Sequence, residues 1–430
     1  MEVLSDTITP FTARDLDKVF AYSHAPATVI TLWGSQEKIV EHKCVTEDDW
    51  DILIRELPSI RKKDEDSGFV LLMTPHISGR THTRSPTVRD GGDEKNSQIR
   101  RETDLFETEE SIGPGGQRKP RLLPFSQDVF SKISKAFYMH RSVSAAINRA
   151  DVPLFSYEDI ALQDKLGEVR AIVYTCRSTN AWGSDLAMTV THFPHCRLSF
   201  GVLFGCSEPQ KKYVIQRLHL AIKEASHPLL LPGLFVEIEK KRHHIIFEAG
   251  VTRLESMIPE LDPEALIGQE QSANDSDRQA KQSIYLDMLY LKHGLTTWSQ
   301  QLNKMLDHAQ TLSDEYAGPW SQVSGQTTGN SSKDSKTAAN PVLEAQKYGE
   351  DVTRLEDRSG IRGYNNFAVG RVTTDEKSGI YREILVITNQ KIIKRIQTIL
   401  EDYRDKIGEC QIRFDGLAMT TQLVSIYSAY

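Results

Sequence analysis

In the stretch SIYLDMLYLKHGLTTWSQQLNKMLDHAQTLSDEY, apolar residues recur at steps of four and three: Ile284, Met288, Leu291, Leu295, Trp298, Leu302, Met305, Ala309, Leu312 and Tyr316. This seam runs for about four and a half heptads. A stripe so long and narrow suits packing along other helices better than packing on a broad sheet face. Gly294 costs about 1 kcal/mol in such a helix relative to alanine. It sits beside the seam, so it marks a candidate close-approach point. A second seam closes the chain: Ile392, Ile396, Ile399, Tyr403, Ile407, Cys410, Phe414 and Leu417. Its doubled step of four is a stutter, which locally relaxes a supercoil. Two packings satisfy both seams. Either the helices pack on each other or on a core within one chain, or they pack between chains, in which case these eight residues form an association surface.

What precedes the seams alternates between strand and helix patterns. ATVITLW (Ala27–Trp33) and GFVLLM (Gly68–Met73) read as strands, with a helix between them that Thr46 caps. That helix places Trp50, Leu53, Ile54 and Leu57 on one face. A further helix capped by Ser126 carries Val129, Phe130, Ile133, Phe137 and Tyr138 on one face. The strand candidates Val169–Cys176, Leu186–Phe193 and Arg197–Cys206 follow, and the first and third are apolar on both faces, as strands covered by helices are. A helix with Pro209 in its first turn and another expected to start at Pro232 complete the pattern. The fold class is therefore α/β, an α/β/α sandwich-like core with long C-terminal stalk-like helices.

Composition changes divide the chain. Residues 1–75 read as the N-terminal part of the core. Residues 76–121, rich in Gly, Pro, Ser and charge, cannot bury enough apolar surface to offset their chain entropy and read as a disordered insertion. Residues 122–318 continue the core into the first heptad helix, after a polar break at Gly268–Arg278. Residues 319–345 read as a flexible Gly/Ser/Thr linker, and 346–430 end in the second long helix.

The formal net charge of −7 gives no general affinity for nucleic acid. The five cysteines are odd in number, widely spaced and without a C-x-x-C pair, which fits reduced thiols in the cytoplasm. The acidic N-terminus has no apolar h-region, and no run approaches the ~20 apolar residues of a membrane helix. The expectation is a cytoplasmic chain with no membrane span of its own.

No nucleotide-binding glycine motif, H-E-x-x-H, G-x-S-x-G or EF-hand loop occurs. His192, His195 and Cys196 are ligand types close together, but a strand sends His192 and His195 to opposite faces. His243 and His244 point about 100° apart on a helix and read as exposed or half-packed. Glu237 and Glu239 do not share a helix face. No catalytic residue is expected.

The phrases LPFSQDVFSKISKAFYMHRS, AIVYTCRSTNAWGSDLAMTVTHFP, HPLLLPGLFVEIEKKRH, YLKHGLTTWSQQLNKML and YRDKIGECQIRFDGLAMTTQL cover most of the chain outside the polar breaks. Together they resemble a group of filamentous-fungal proteins related to the CorA-type magnesium transporters. The resemblance implies an intracellular α/β/α domain followed by a stalk helix, with magnesium or another divalent cation as the associated ion. In the transporter superfamily the stalk leads to a membrane helix ending in Gly-Met-Asn; VSIYSAY follows Leu423 here, so no pore is expected from this sequence. The implied function is a non-catalytic binding or regulatory domain. Its partners would be further copies in a homo-oligomer or full-length membrane relatives, which would hold it at the membrane surface. A truncated, non-functional remnant and an enzyme with an unrecognised site are the alternatives.

Overall fold

The structure is a computed structural model. It describes residues 11–33, 38–58, 60, 67–75, 119–149, 151–164, 167–179, 181–183, 185–255, 275–317 and 374–427.

Seven strands make one sheet: β2 (Ala27–Trp33), β3 (Val40–Cys44), β4 (Gly68–Pro75), β6 (Leu154–Asp164), β7 (Gly167–Arg177), β8 (Ala187–Phe193) and β9 (Leu198–Cys206). Their order is β3-β2-β4-β9-β8-β7-β6. All neighbours are antiparallel except β4 and β9, whose parallel pairing joins the N-terminal strands to the β6–β9 meander. A two-residue parallel pair, β1 (Ala21–Tyr22) with β5 (Leu122–Leu123), lies outside this sheet. Strands β8 and β9 are buried along their whole length, which requires cover on both faces.

Alternate side chains of the central strands enter two separate cores. Val29, Val70 and Leu72 meet α1 (Glu47–Glu56), α2 (Gln127–Ala136) and α3 (Ser142–Asn148). Ile30, Leu71 and Met73 meet α4 (Glu208–Leu220), α5 (Leu230–Glu255), α6 (Asp275–Ala317) and α7 (Thr374–Tyr427). The architecture is thus three layers, α/β/α, with two long C-terminal helices. Helix starts follow their caps. Thr46 forms a capping box with Asp49, Ser207 forms one with Gln210, and the Ser126 hydroxyl accepts from the Val129 N–H.

Order extends beyond the expected boundaries in three places. Helix α5 begins at Leu230, ahead of Pro232. Helix α6 begins at Asp275, inside the polar break at Gly268–Arg278, where acidic residues suit a helix N-terminus. Lys119–Arg121, the last residues of the expected disordered insertion, form a 3₁₀ turn. Pro120 is buried there against Gly205, whose φ of +78° and missing side chain allow the approach. Arg121 Nη2 also donates to the Lys18 carbonyl at 3.0 Å. The rest of the insertion and the 319–345 linker lie outside the described residues.

Helices α6 and α7 run antiparallel. Arg382 Nε donates to the Tyr316 carbonyl at 2.5 Å, Asn389 Nδ2 to the Ala309 carbonyl at 2.7 Å, and the Tyr285 and Phe414 rings meet edge to face at 5.2 Å. All ten seam residues of α6 are buried. On α7, Ile396, Ile399, Tyr403 and Cys410 are buried, Ile392, Ile407 and Phe414 are half-buried, and the Leu417 side chain lies outside the described residues. Both seams are therefore spent within one chain, on α5, α6 and α7 together. Asn389 is a buried polar residue on this interface, and its bond to a carbonyl one helix away pins the register.

Candidate functional site

The ligand-type residues of the β8–β9 turn do not converge. His192 is buried with Nδ1 2.9 Å from Ser199 Oγ, His195 Nε2 lies 2.7 Å from the Ile60 carbonyl, and the Cys196 thiol points at the Phe193 carbonyl, 3.8 Å away. Among the described residues, no group of three or more His, Cys, Asp or Glu side chains could hold a metal ion. His243 departs from expectation. It is buried, because α5 turns it toward α7, whereas His244 is exposed as expected.

Around His243 lies a cluster of buried polar residues. Glu239, Arg242 and His243 share one face of α5 at spacings of three and four. Arg242 Nη1 donates to Glu239 Oε2 at 2.9 Å. Its Nε donates to the Gly183 carbonyl at 2.9 Å, and Nη2 reaches the Thr179 and Trp182 carbonyls at 2.9 and 3.1 Å. One guanidinium thus fastens the β7–β8 loop to α5. Arg177, at the end of β7, closes the same loop from below. Its Nη2 meets Asp185 Oδ2 at 2.6 Å and its Nη1 donates to the Leu186 carbonyl at 2.7 Å.

The electrostatics follow from burial. Burial pushes the Glu239 pKa up, with Arg242 and Arg177 pulling against it. Glu239 Oε1 has no hydrogen-bond partner among the described residues. Burial holds the His243 pKa well down and the Tyr403 phenol well up. His243 Nδ1 and the Tyr403 hydroxyl share a hydrogen bond at 2.8 Å, and Nε2 lies 3.6 Å from Glu239 Oε2. The cluster joins the sheet, α5 and α7. Every charged member is sealed from solvent, so its chemistry is that of a clamp.

No protein-family model, curated protein or solved structure matches the chain. Its site is read from geometry alone.

Helix α6 joins the clamp through Gly294. A Cβ there would stand 2.3 Å from the ring of Trp182, which itself lies edge to face with His243 at 5.6 Å. The glycine beside the seam is a close-approach point, as its position suggested. Gly294→Ala is expected to lose about 1–3 kcal/mol through overpacking, after a gain of about 1 kcal/mol in helix propensity. Urea unfolding checks this. Adding Trp182→Ala should recover most of the loss; a fully additive double mutant would place the strain elsewhere.

At the far end of the α6–α7 pair the surface changes character. Leu286, Leu289 and Tyr290 lie on the outer side of α6, with Tyr290 63% exposed; on α7, Ile412 and Met419 are 73% and 66% exposed. Lys292 bonds Gln411 and Tyr285 meets Phe414 at this level, so the two exposed stripes flank one stretch of the pair. They were not found from sequence because the stronger seam periodicity masks them.

Proposed function

We propose that this chain is a non-catalytic, cytoplasmic binding or regulatory module, built like the intracellular portion of a CorA-like divalent-cation transporter. It acts by associating through the far end of its α6–α7 rod. The exposed Leu286, Leu289, Tyr290, Ile412 and Met419 carry this reading. Large apolar side chains grouped at one end of a rod mark an interaction surface. The three-layer body followed by a 54-residue helix supports the kinship. Among the described residues no helix is long and apolar enough to cross a membrane. Magnesium is the ion the kinship names, but association rather than ion binding carries the proposal.

The association surface differs from the seam. Ile396, Tyr403 and Cys410 are covered by the chain's own helices, so partners would meet the outer stripes instead. Sedimentation velocity of the full chain at tens of micromolar is expected to show a dimer or larger species. Leu289→Asp with Ile412→Asp, both at exposed positions, should return it to monomer. A strict monomer for the parent chain, with or without magnesium, would overturn the proposal.

A further inference from the structure

The helical layer contains a cleft of about 220 Å³ between the end of α4, the start of α5 and the middle of α7. Its walls are Leu218, Leu230, Leu234, Ile392, Ile396 and Ile399. Three cations stand around it, Arg217, Lys391 and Arg395, with two carboxylates, Glu224 and Glu237. The carboxylates are taken. Lys391 Nζ meets Glu224 Oε1 at 2.9 Å, and the Arg395 guanidinium holds Glu237 through two bonds, one of them Nη2 to Oε2 at 2.8 Å. Arg217 is exposed and makes no hydrogen bond or close ion pair among the described residues, and its charge acts through space on Glu237 and Tyr213. The rim therefore carries one more cation than carboxylate above an apolar interior.

A second observation locates the open wall of the cleft. Gly233 lies in the first turns of α5 and lines the cleft. Glycine in a helix costs about 1 kcal/mol relative to alanine. At Gly294 that cost has a packing reason, since a Cβ there would strike Trp182, whereas at Gly379, Gly408 and Gly416 of α7 a Cβ would meet nothing within 4 Å. At Gly233 a Cβ would meet nothing within 4 Å. The cleft wall is thus open at Gly233, with room for a side chain.

We propose that this cleft binds a medium-chain monocarboxylate, its alkyl chain between α5 and α7 and its carboxylate on Arg217. Size and charge both select this class. An apolar cavity of about 150 Å³ takes up benzene, so this cleft suits a chain of about eight carbons. An excess of one cation over two carboxylates matches one negative charge better than several. The proposal is independent of the association reading.

Calorimetric titration of the full chain with octanoate tests it, with octanol (chain without charge) and butanoate (charge without chain) as comparisons. Saturable binding of octanoate at one site, weaker binding of octanol and none of butanoate are expected. Arg217→Gln, which removes no internal contact, should weaken octanoate about ten-fold and leave octanol unchanged. Gly233→Leu should abolish both while the thermal midpoint holds or rises, since a helix glycine is replaced. Three results would overturn the proposal: no octanoate binding to the parent chain, octanoate affinity indifferent to Arg217→Gln, or binding that survives Gly233→Leu. A fall in the thermal midpoint of Gly233→Leu would overturn it too, because it would mean that another part of the chain already fills the space.

Discussion

Acidification below about pH 6.5 is expected to destabilise this protein steeply, through histidines rather than carboxylates. His192 and His227 have their pKa pushed down to about 3 by burial, His308 to about 4, and His243 well below the ordinary value. In each, burial outweighs whatever favours the charged ring, including Asp159 near His308, Asn389 at His227 and Glu239 3.6 Å from His243 Nε2. His192 faces a serine hydroxyl; His308 stacks on Tyr157 at 3.7 Å and bonds the Tyr174 phenol; His227 lies by Tyr316 and Asn389; His243 lies against Arg242. The sign follows directly. The folded pKa values lie below the unfolded value of about 6.5, so below that pH the unfolded chain binds protons that the folded chain refuses. Stability is complete above about pH 6.5 and falls by about 1.4 kcal/mol per pH unit for each histidine. Four together reach about 5 kcal/mol per unit, enough to exhaust a typical 5–15 kcal/mol within about one to three units. Glu239 opposes weakly, because its raised pKa makes protonation easier in the folded state. Glu237 and Asp402, whose pKa values are lowered, add their losses only below the ordinary carboxylate range. Denaturant midpoints measured against pH should give a slope of three to four protons, by this count, between about pH 6 and 5. A flat profile across that interval would mean that these histidines are solvated.

What the sequence disclosed depended on where each element lies in the layers. The central strands β4 and β9 were legible because cover on both faces makes them almost continuously apolar. Of the seven-stranded sheet, the two strands missed, β3 and β6, are its two edges. Their charged sequences, VEHKC and LFSYEDIALQD, suit edges that must resist pairing with other chains and carry little strand signal. The seams showed which face of α6 and α7 is buried, yet not what buries it, since step size is the same for a neighbour in the chain and for a second copy. The clamp was half legible. Glu239, Arg242 and His243 fall on one helical face beside Phe235 and Ile238, a spacing that marks an inward polar patch. Taking His243 together with its neighbour His244 hid this. Their partners Arg177, Asp185 and Tyr403 lie far away in sequence, and no local pattern connects them.

Arg242→Met is expected to be the most damaging single substitution at the clamp, at about 3–5 kcal/mol. The cost arises from what is left behind. Glu239 would keep a buried carboxylate whose Oε1 already has no partner and whose Oε2 would retain only the His243 Nε2 at 3.6 Å. The carbonyls of Thr179, Trp182 and Gly183 would lose their donor as well. Arg242→Lys should restore only part of the loss, because an ammonium cannot reproduce a fork that meets four acceptors. Pairing Arg242→Met with Glu239→Met should recover most of it, since apolar replacement of both partners removes the stranded charge. Burial decides the size of the effect. Arg395 grips Glu237 through two bonds, but its side chain is 48% exposed, so Arg395→Met is expected to cost at most about 1 kcal/mol. Urea unfolding of the variants, followed by tryptophan fluorescence from Trp182 and Trp298, measures each difference. Equal small losses at Arg242 and Arg395 would show that water reaches Glu239, and the cluster would then be an ordinary surface network rather than the joint that holds α5, α7 and the β7–β8 loop together.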